Sequence, residues 1–221
     1  MSRTDPRLER ADERAAMVET QIAARGIRDS RVLEAMRAVP RHAFVPDELQ
    51  AVAYDDTPLP IGLGQTISQP YIVALMTELT QPHAAARILE IGTGSGYQAA
   101  VLACLCAEVL TVEIVGHHAA TAERRLHELG IANVRVRHAD GHAGWPEESP
   151  FEAIVVTAAP AVVPQALAGQ LKAGGRLVIP VGPAGGVQVL QCFTKCADGG
   201  LSGEDVLAVR FVPLTGGGRG G

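Results

Sequence analysis

The chain has 221 residues, 47% apolar and 19% charged, which supplies one substantial core and excludes wholesale disorder. Its basic and acidic residues, 19 against 24, leave a net charge of −5, and no Lys/Arg run argues for a nucleic-acid or anionic-membrane partner. No apolar stretch approaches the roughly 20 residues of a membrane span, and the charged N-terminal stretch lacks the apolar centre of a signal peptide, so a cytoplasmic protein is expected.

Leu8, Ala11, Ala15, Val18, Ile22 and Ala23 recur at helical spacing over residues 7–25, and Gly26 supplies a stop. A second helix is predicted over 30–39, capped by Asp29 or Ser30 and ended by Pro40. Residues 40–70 differ in character, with Pro40, Pro46, Pro58, Pro60 and Pro70 plus Gly62 and Gly64. Interleaved Phe44, Val45, Tyr54, Leu59, Ile61 and Ile67 make this an ordered functional loop in place of a linker. Pro70 fits the first turn of a helix running to about Leu79, with Ser68 or Gln69 as cap.

Beyond residue 86 the pattern becomes regular. Strands are predicted at 87–91, 109–113, 134–138, 153–157 and 176–181, with helices at 97–107, 116–129 and 163–171 between them. That alternation means βαβ units and a parallel sheet covered on both faces. Two more strands, 187–195 and 206–213, form an appended hairpin around Asp198-Gly199-Gly200. The expected organisation is a single α/β domain over 1–215, its N-terminal helices and loop reaching residue 80 and its sheet running from 87. A flexible glycine-rich tail follows at 216–221. The four cysteines form no C-x-x-C pair and read as buried free thiols.

The first strand of the sheet ends in Glu90-Ile91-Gly92-Thr93-Gly94-Ser95-Gly96-Tyr97, and a helix follows at once. Glycines let the chain turn sharply and let a ligand approach without meeting a Cβ. The spacing is G-x-G-x-G, and the dinucleotide fingerprint would need a small residue where Tyr97 stands, which speaks against NAD or FAD. Glu113 ends the second strand, where a carboxylate accepts both hydroxyls of a ribose. The pair reads as adenosine binding without a diphosphate, which fits S-adenosylmethionine. Asp140-Gly141 after the third strand adds a third strand-end carboxylate, suited to an adenine amino group, and Thr157 follows the fourth strand facing the same crevice. His138 and His142 lack the spacing of ligands on one face, so no metal site is expected.

The runs Val39-Pro40-Arg41-His42-Ala43-Phe44-Val45-Pro46, Gln65-Thr66-Ile67-Ser68-Gln69-Pro70 and Leu89-Glu90-Ile91-Gly92-Thr93-Gly94-Ser95-Gly96-Tyr97-Gln98 closely resemble the protein-L-isoaspartate O-methyltransferases. The resemblance spans roughly residues 17 to 215. It implies a Rossmann-like, class I methyltransferase sheet of seven strands with extra N-terminal helices. It also implies methyl transfer from S-adenosyl-L-methionine to the free carboxylate of isoaspartyl residues in damaged proteins. By this resemblance Glu90, Gly92, Thr93, Gly94 and Gly96 hold the cofactor together with Glu113, Asp140 and Gly141, and Thr215 lies near it. Thr66, Ile67 and Ser68 line the site of transfer, Ser68 being the family's active-site serine. The loop offers few charged side chains, so it is expected to grip substrate through main-chain groups, with little dependence on flanking sequence. Isoaspartyl-containing proteins and peptides are the expected partners of a monomeric enzyme. A small-molecule methyltransferase using the same cofactor is the alternative, and it gives no reason for the 40–70 segment.

Overall fold

In the computed structural model, which describes residues 5, 6 and 8–217, the first helix is α1 (Ala11–Met17); Leu8 and Ala11 of the expected apolar face are exposed, and Arg14 and Met17 are the buried residues of this helix. The helix runs on through a π turn (Val18–Ile22) and a 3-10 turn (Ala23–Arg25) to Gly26, whose φ of +100° ends it. Arg7, the first residue of the expected helix, lies outside the described residues. The next helix, α2 (Ser30–Ala38), is capped by the Asp29 carboxylate, which accepts from the Arg31 amide at 2.9 Å. Met17, Val18, Ile22, Val32 and Met36 from these elements are buried together.

Residues 40–70 are ordered through buried contacts, as the interleaved apolar residues predict. Two 3-10 turns (Arg41–Phe44 and Asp47–Val52) lead to a hairpin of β1 (Leu59–Gly62) and β2 (Gln65–Ile67). Leu63 and Gly64 form its tip, both at positive φ, as a two-residue hairpin loop requires. The hairpin is absent from the sequence expectation because strands of 4 and 3 residues carry too little alternation to register. Beneath it Arg41 is fully buried, donating from Nε to the Ala53 carbonyl at 2.8 Å with its guanidinium 5.0 Å from the Tyr97 ring centroid. Burial pulls its pKa down to about 10. His42 Nδ1 pairs with the Tyr54 hydroxyl at 2.6 Å, and Phe44 meets the Tyr97 ring edge-on at 5.4 Å. Then comes α3 (Pro70–Leu79), with Pro70 in its first turn and Gln69, not Ser68, at the N-cap.

The sheet holds seven strands: β3 (Arg87–Ile91), β4 (Glu108–Glu113), β5 (Val134–His138), β6 (Phe151–Val156), β7 (Leu171–Val181), β8 (Gln188–Lys195) and β9 (Leu201–Val209). Their order across it is β5-β4-β3-β6-β7-β8-β9. Pairing is parallel from β5 to β7 and antiparallel at β7-β8 and β8-β9, so the appended hairpin extends the sheet. Crossovers α4 (Tyr97–Ala103), α5 (Gly116–Glu128) and α6 (Gln165–Gly169) are shorter than predicted. The final strand is displaced from its expected span of 206–213. The Asp198 turn starts the ladder at the Lys195–Leu201 pair, and the strand is used up by Val209. Residues beyond it leave the sheet and return across the end of β6, where Ala159 and Pro213 bridge.

From β3 the chain proceeds to β4 and β5 on one side, then crosses to β6 and β7 on the other. That reversal opens a crevice outside the carboxyl ends of β3 and β6, the ligand position of doubly wound sheets. Ile88, Leu89, Val109, Leu110 and Val155 are wholly buried, so the central strands pack on both faces of the sheet. Cys106 and Cys192 are buried, whereas Cys104 is exposed and Cys196 half-buried, which corrects the expectation for those two. Trp145 lies beyond β5 with the guanidinium groups of Arg135 and Arg137 each 5.2 Å from its ring centroid. Among the described residues no helix is long and apolar enough to cross a membrane.

Candidate active site

The turn after β3 is shaped by backbone demands. Gly92, Gly94 and Gly96 take φ of +96°, +52° and +89°, a region that side chains other than glycine's rarely enter. A Cβ on Gly92 would collide with the Thr157 hydroxyl, which donates to the Ile91 and Gly92 carbonyls at 3.0 and 2.6 Å. Glu113, at the end of β4, accepts from the Gly94 amide at 2.8 Å and from the Val115 amide at 2.9 Å, one on each oxygen. It thereby fixes the turn and still faces the crevice.

Gly92, Gly94, Glu113, Gly141, Thr157 and Thr215 line one cavity, closed above by Gln65 and Thr66 of the hairpin. Thr93 joins Thr66, Ile67 and Ser68 around a smaller recess on the other side of the glycine turn. Three of the expected residues stand outside these linings. Glu90 is fully buried beneath the turn and accepts from the Thr111 hydroxyl, whose oxygen lies 2.6 Å from that of Thr93. Burial above all, with the Glu113 charge adding to it, pushes the Glu90 carboxyl up to about 8. Gly96 is the N-cap of α4, where a Cβ would press on Ala122 at 3.3 Å. Asp140 stands beside Gly141 and accepts from the His142 amide at 2.9 Å and the Gly217 amide at 2.6 Å. Its partial desolvation is outweighed by those bonds and by the His142 ring, so its pKa stays below the usual range. Gly216 and Gly217 of the expected tail therefore lie against Asp140, and residues 218–221 lie outside the described residues.

An open groove of about 490 Å³ meets this site from outside. Thr66 and Ser68 line it too, so these two side chains face both the inner recess and the outer groove. Sequence reasoning missed the rest of the groove: Arg25, Ile72, Val187, Arg210 and Phe211 come from four separate parts of the chain. His138 Nε2 lies 3.1 Å from the Ile114 carbonyl oxygen, and His142 faces Asp140.

Residues 12–219 match the model of the protein-L-isoaspartate(D-aspartate) O-methyltransferase family, PCMT. The chain belongs to this family. A protein-L-isoaspartate O-methyltransferase of Opitutus terrae is 55% identical over 206 residues, covering 93% of this chain and 88% of the relative. One of Geobacter metallireducens is 56% identical over 203 residues, covering 92% and 94%. Among solved structures, a protein-L-isoaspartate O-methyltransferase superposes with a TM-score of 0.81 at 30% identity, over 93% of this chain and 66% of that one. A Plasmodium falciparum structure of the PCMT type, in complex with S-adenosyl-L-homocysteine, gives a TM-score of 0.77 at 26% identity, over 91% and 98%. The resemblance of the 40–70 and glycine-turn motifs thus extends to the whole fold.

Proposed function

We infer that this chain transfers the methyl group of S-adenosyl-L-methionine to the free carboxylate of L-isoaspartyl residues in damaged proteins and peptides. Family membership supports the activity. The observation that carries it at the level of the site is the placement of Thr66 and Ser68 between the glycine-turn cavity and the open groove. One cavity suits the cofactor, and the other admits a segment of peptide.

The inner cavity suits the cofactor by the residues that line it. Gly92 and Gly94 give the turn its positive-φ course along the cavity wall, and Glu113 presents a carboxylate to a ribose. Gly141 and Thr215 bound the adenine end, with Asp140 beside them, while Thr93, Gly96 and Glu90 shape the turn from behind. When bound, the cofactor supplies an electrophilic methyl carbon, which the carboxylate oxygen takes as the C–S pair returns to sulfur, giving a methyl ester and S-adenosylhomocysteine. Ser68 and Thr66 orient the carboxylate by hydrogen bonds, and the β1–β2 hairpin over the cavity keeps water out. We take the enzyme to act as a cytoplasmic monomer, and its net charge of −5 supports the reading that it has no nucleic-acid or anionic-membrane partner.

The test is transfer of labelled methyl from S-adenosylmethionine to an isoaspartyl peptide and to its aspartyl twin. Label on the isoaspartyl peptide alone is expected, and equal or absent labelling would sink the reading.

A further inference from the structure

The groove outside Ser68 differs in charge from the molecule as a whole. The chain carries −5, yet among the described residues the charged side chains lining the groove are Arg25 and Arg210, and no carboxylate lines it. Between them its surface is formed by Ile72, Val187, Leu207 and Phe211. Arg25 is held in place, its guanidinium 3.5 Å from the Tyr71 ring centroid and its Nη1 2.7 Å from Asp56 Oδ2. Asp56 offsets part of that charge. Arg210 is exposed and makes no ion pair among the described residues, so its charge acts on the groove without an internal counter-ion. A cation beside a partly apolar wall attracts an anionic segment across solvent, more strongly at low salt.

We propose that Arg210, supported by Arg25, is a specificity-determining residue that makes the groove prefer isoaspartyl segments with an acidic side chain close to the isoaspartyl residue. The inference rests on the isoaspartyl methyl-transfer reading and changes one expectation drawn from it. The 60–70 loop still grips main chain, because it is poor in charge. The opposite wall, contributed by residues distant in sequence, adds a preference that the loop alone does not have. The isoaspartyl carboxylate itself gains from the same field on approach, and its methyl ester, being neutral, does not.

Three isoaspartyl peptides of equal length test this, with glutamate, glutamine or lysine two residues from the isoaspartyl position. With the intact enzyme at low salt, KM is expected to rise in that order, by about two- to fivefold per step, the range of an exposed charge pair. The spread should shrink in 1 M NaCl, where the screening length is about 3 Å. Arg210→Gln should bring the three KM values together, and Arg210→Glu should reverse their order. Thermal stabilisation by S-adenosylhomocysteine serves as the check that each variant is folded. Equal KM values for the intact enzyme, or an order that survives Arg210→Glu, would overturn the proposal while leaving the methyl-transfer reading in place. Failure of the intact enzyme to methylate even the glutamine peptide would overturn both.

Discussion

Ser68 faces the recess beside the glycine turn, and among the described residues no histidine lines that recess or the groove outside it. A serine nucleophile needs a nearby base and an orienting acid. Methyl transfer to a carboxylate asks for neither, because an α-carboxylate with a pKa of roughly 3.3–3.7 is already ionised at neutral pH. Ser68 is then a guide for the attacking oxygen. In Ser68→Ala, cofactor affinity by calorimetry should stay near that of the parent, while methyl transfer falls about 10- to 150-fold, the worth of one hydrogen bond to a charged group. The rate should show no ionisation between about pH 6 and 8. A methyl or acyl group trapped on the serine would show this to be wrong. Glu90 makes the opposite demand on pH. Its carboxyl is raised from the ordinary range to about 8 by burial, so it is neutral in the folded chain at pH 7 and ionised in the unfolded one. Its contribution to stability is complete below the unfolded pKa and is lost as pH rises toward 8. Glu90→Gln should flatten the decline of the melting temperature between about pH 5 and 8. The glycine turn, Glu113 and Asp140-Gly141 are legible in sequence because each sits at a strand end and is specified locally. The depth of Glu90 is not, since facing in or out of the crevice depends on the pleat of a strand buried on both sides.

At the scale of elements, the 40–70 segment carries the hairpin that covers the cavity, and aromatic packing helps to anchor it. Phe44 is fully buried, edge-on to Tyr97, the residue that ends the glycine turn and begins α4. Phe44→Ala should cost about 3–5 kcal/mol in urea unfolding, the usual penalty for emptying an aromatic core site. A cost below about 1 kcal/mol would mean that the segment holds without this contact. The strands of the parallel sheet and the helix from Pro70 are readable because long apolar runs and a proline at the first turn admit few alternatives. The hairpin is not, its strands being too short to display a period of two. The last strand begins earlier than its apolar residues suggest, because its outer half, Leu201 to Asp205, carries exposed polar residues at the sheet edge.

Across the whole molecule, the crevice follows from topology alone: strand order reverses at β3 and β6, and segments from distant parts of the chain converge above that point. The groove combines residue 25, residues 58–72 and residues 187–211, so its charge cannot be read from any local run of sequence. The same convergence gives the protein an optical reporter. Trp145 is the chain's one tryptophan, and it ends the loop that starts at Asp140-Gly141. Gln170 pins that loop, accepting from the Trp145 amide at 2.8 Å and donating to the Ala143 carbonyl at 2.7 Å, while two guanidinium groups flank the indole. A ligand seated on Gly141 presses on a short, tethered stretch whose far end is fluorescent. Titration with S-adenosylhomocysteine should therefore change the emission of Trp145 in a saturable way, and NAD at the same concentrations should not. Emission that ignores S-adenosylhomocysteine while calorimetry registers binding would mean that the loop transmits nothing from Gly141. With a saturable signal, cofactor occupancy can be followed in real time on the unlabelled protein, during turnover and without a second chromophore.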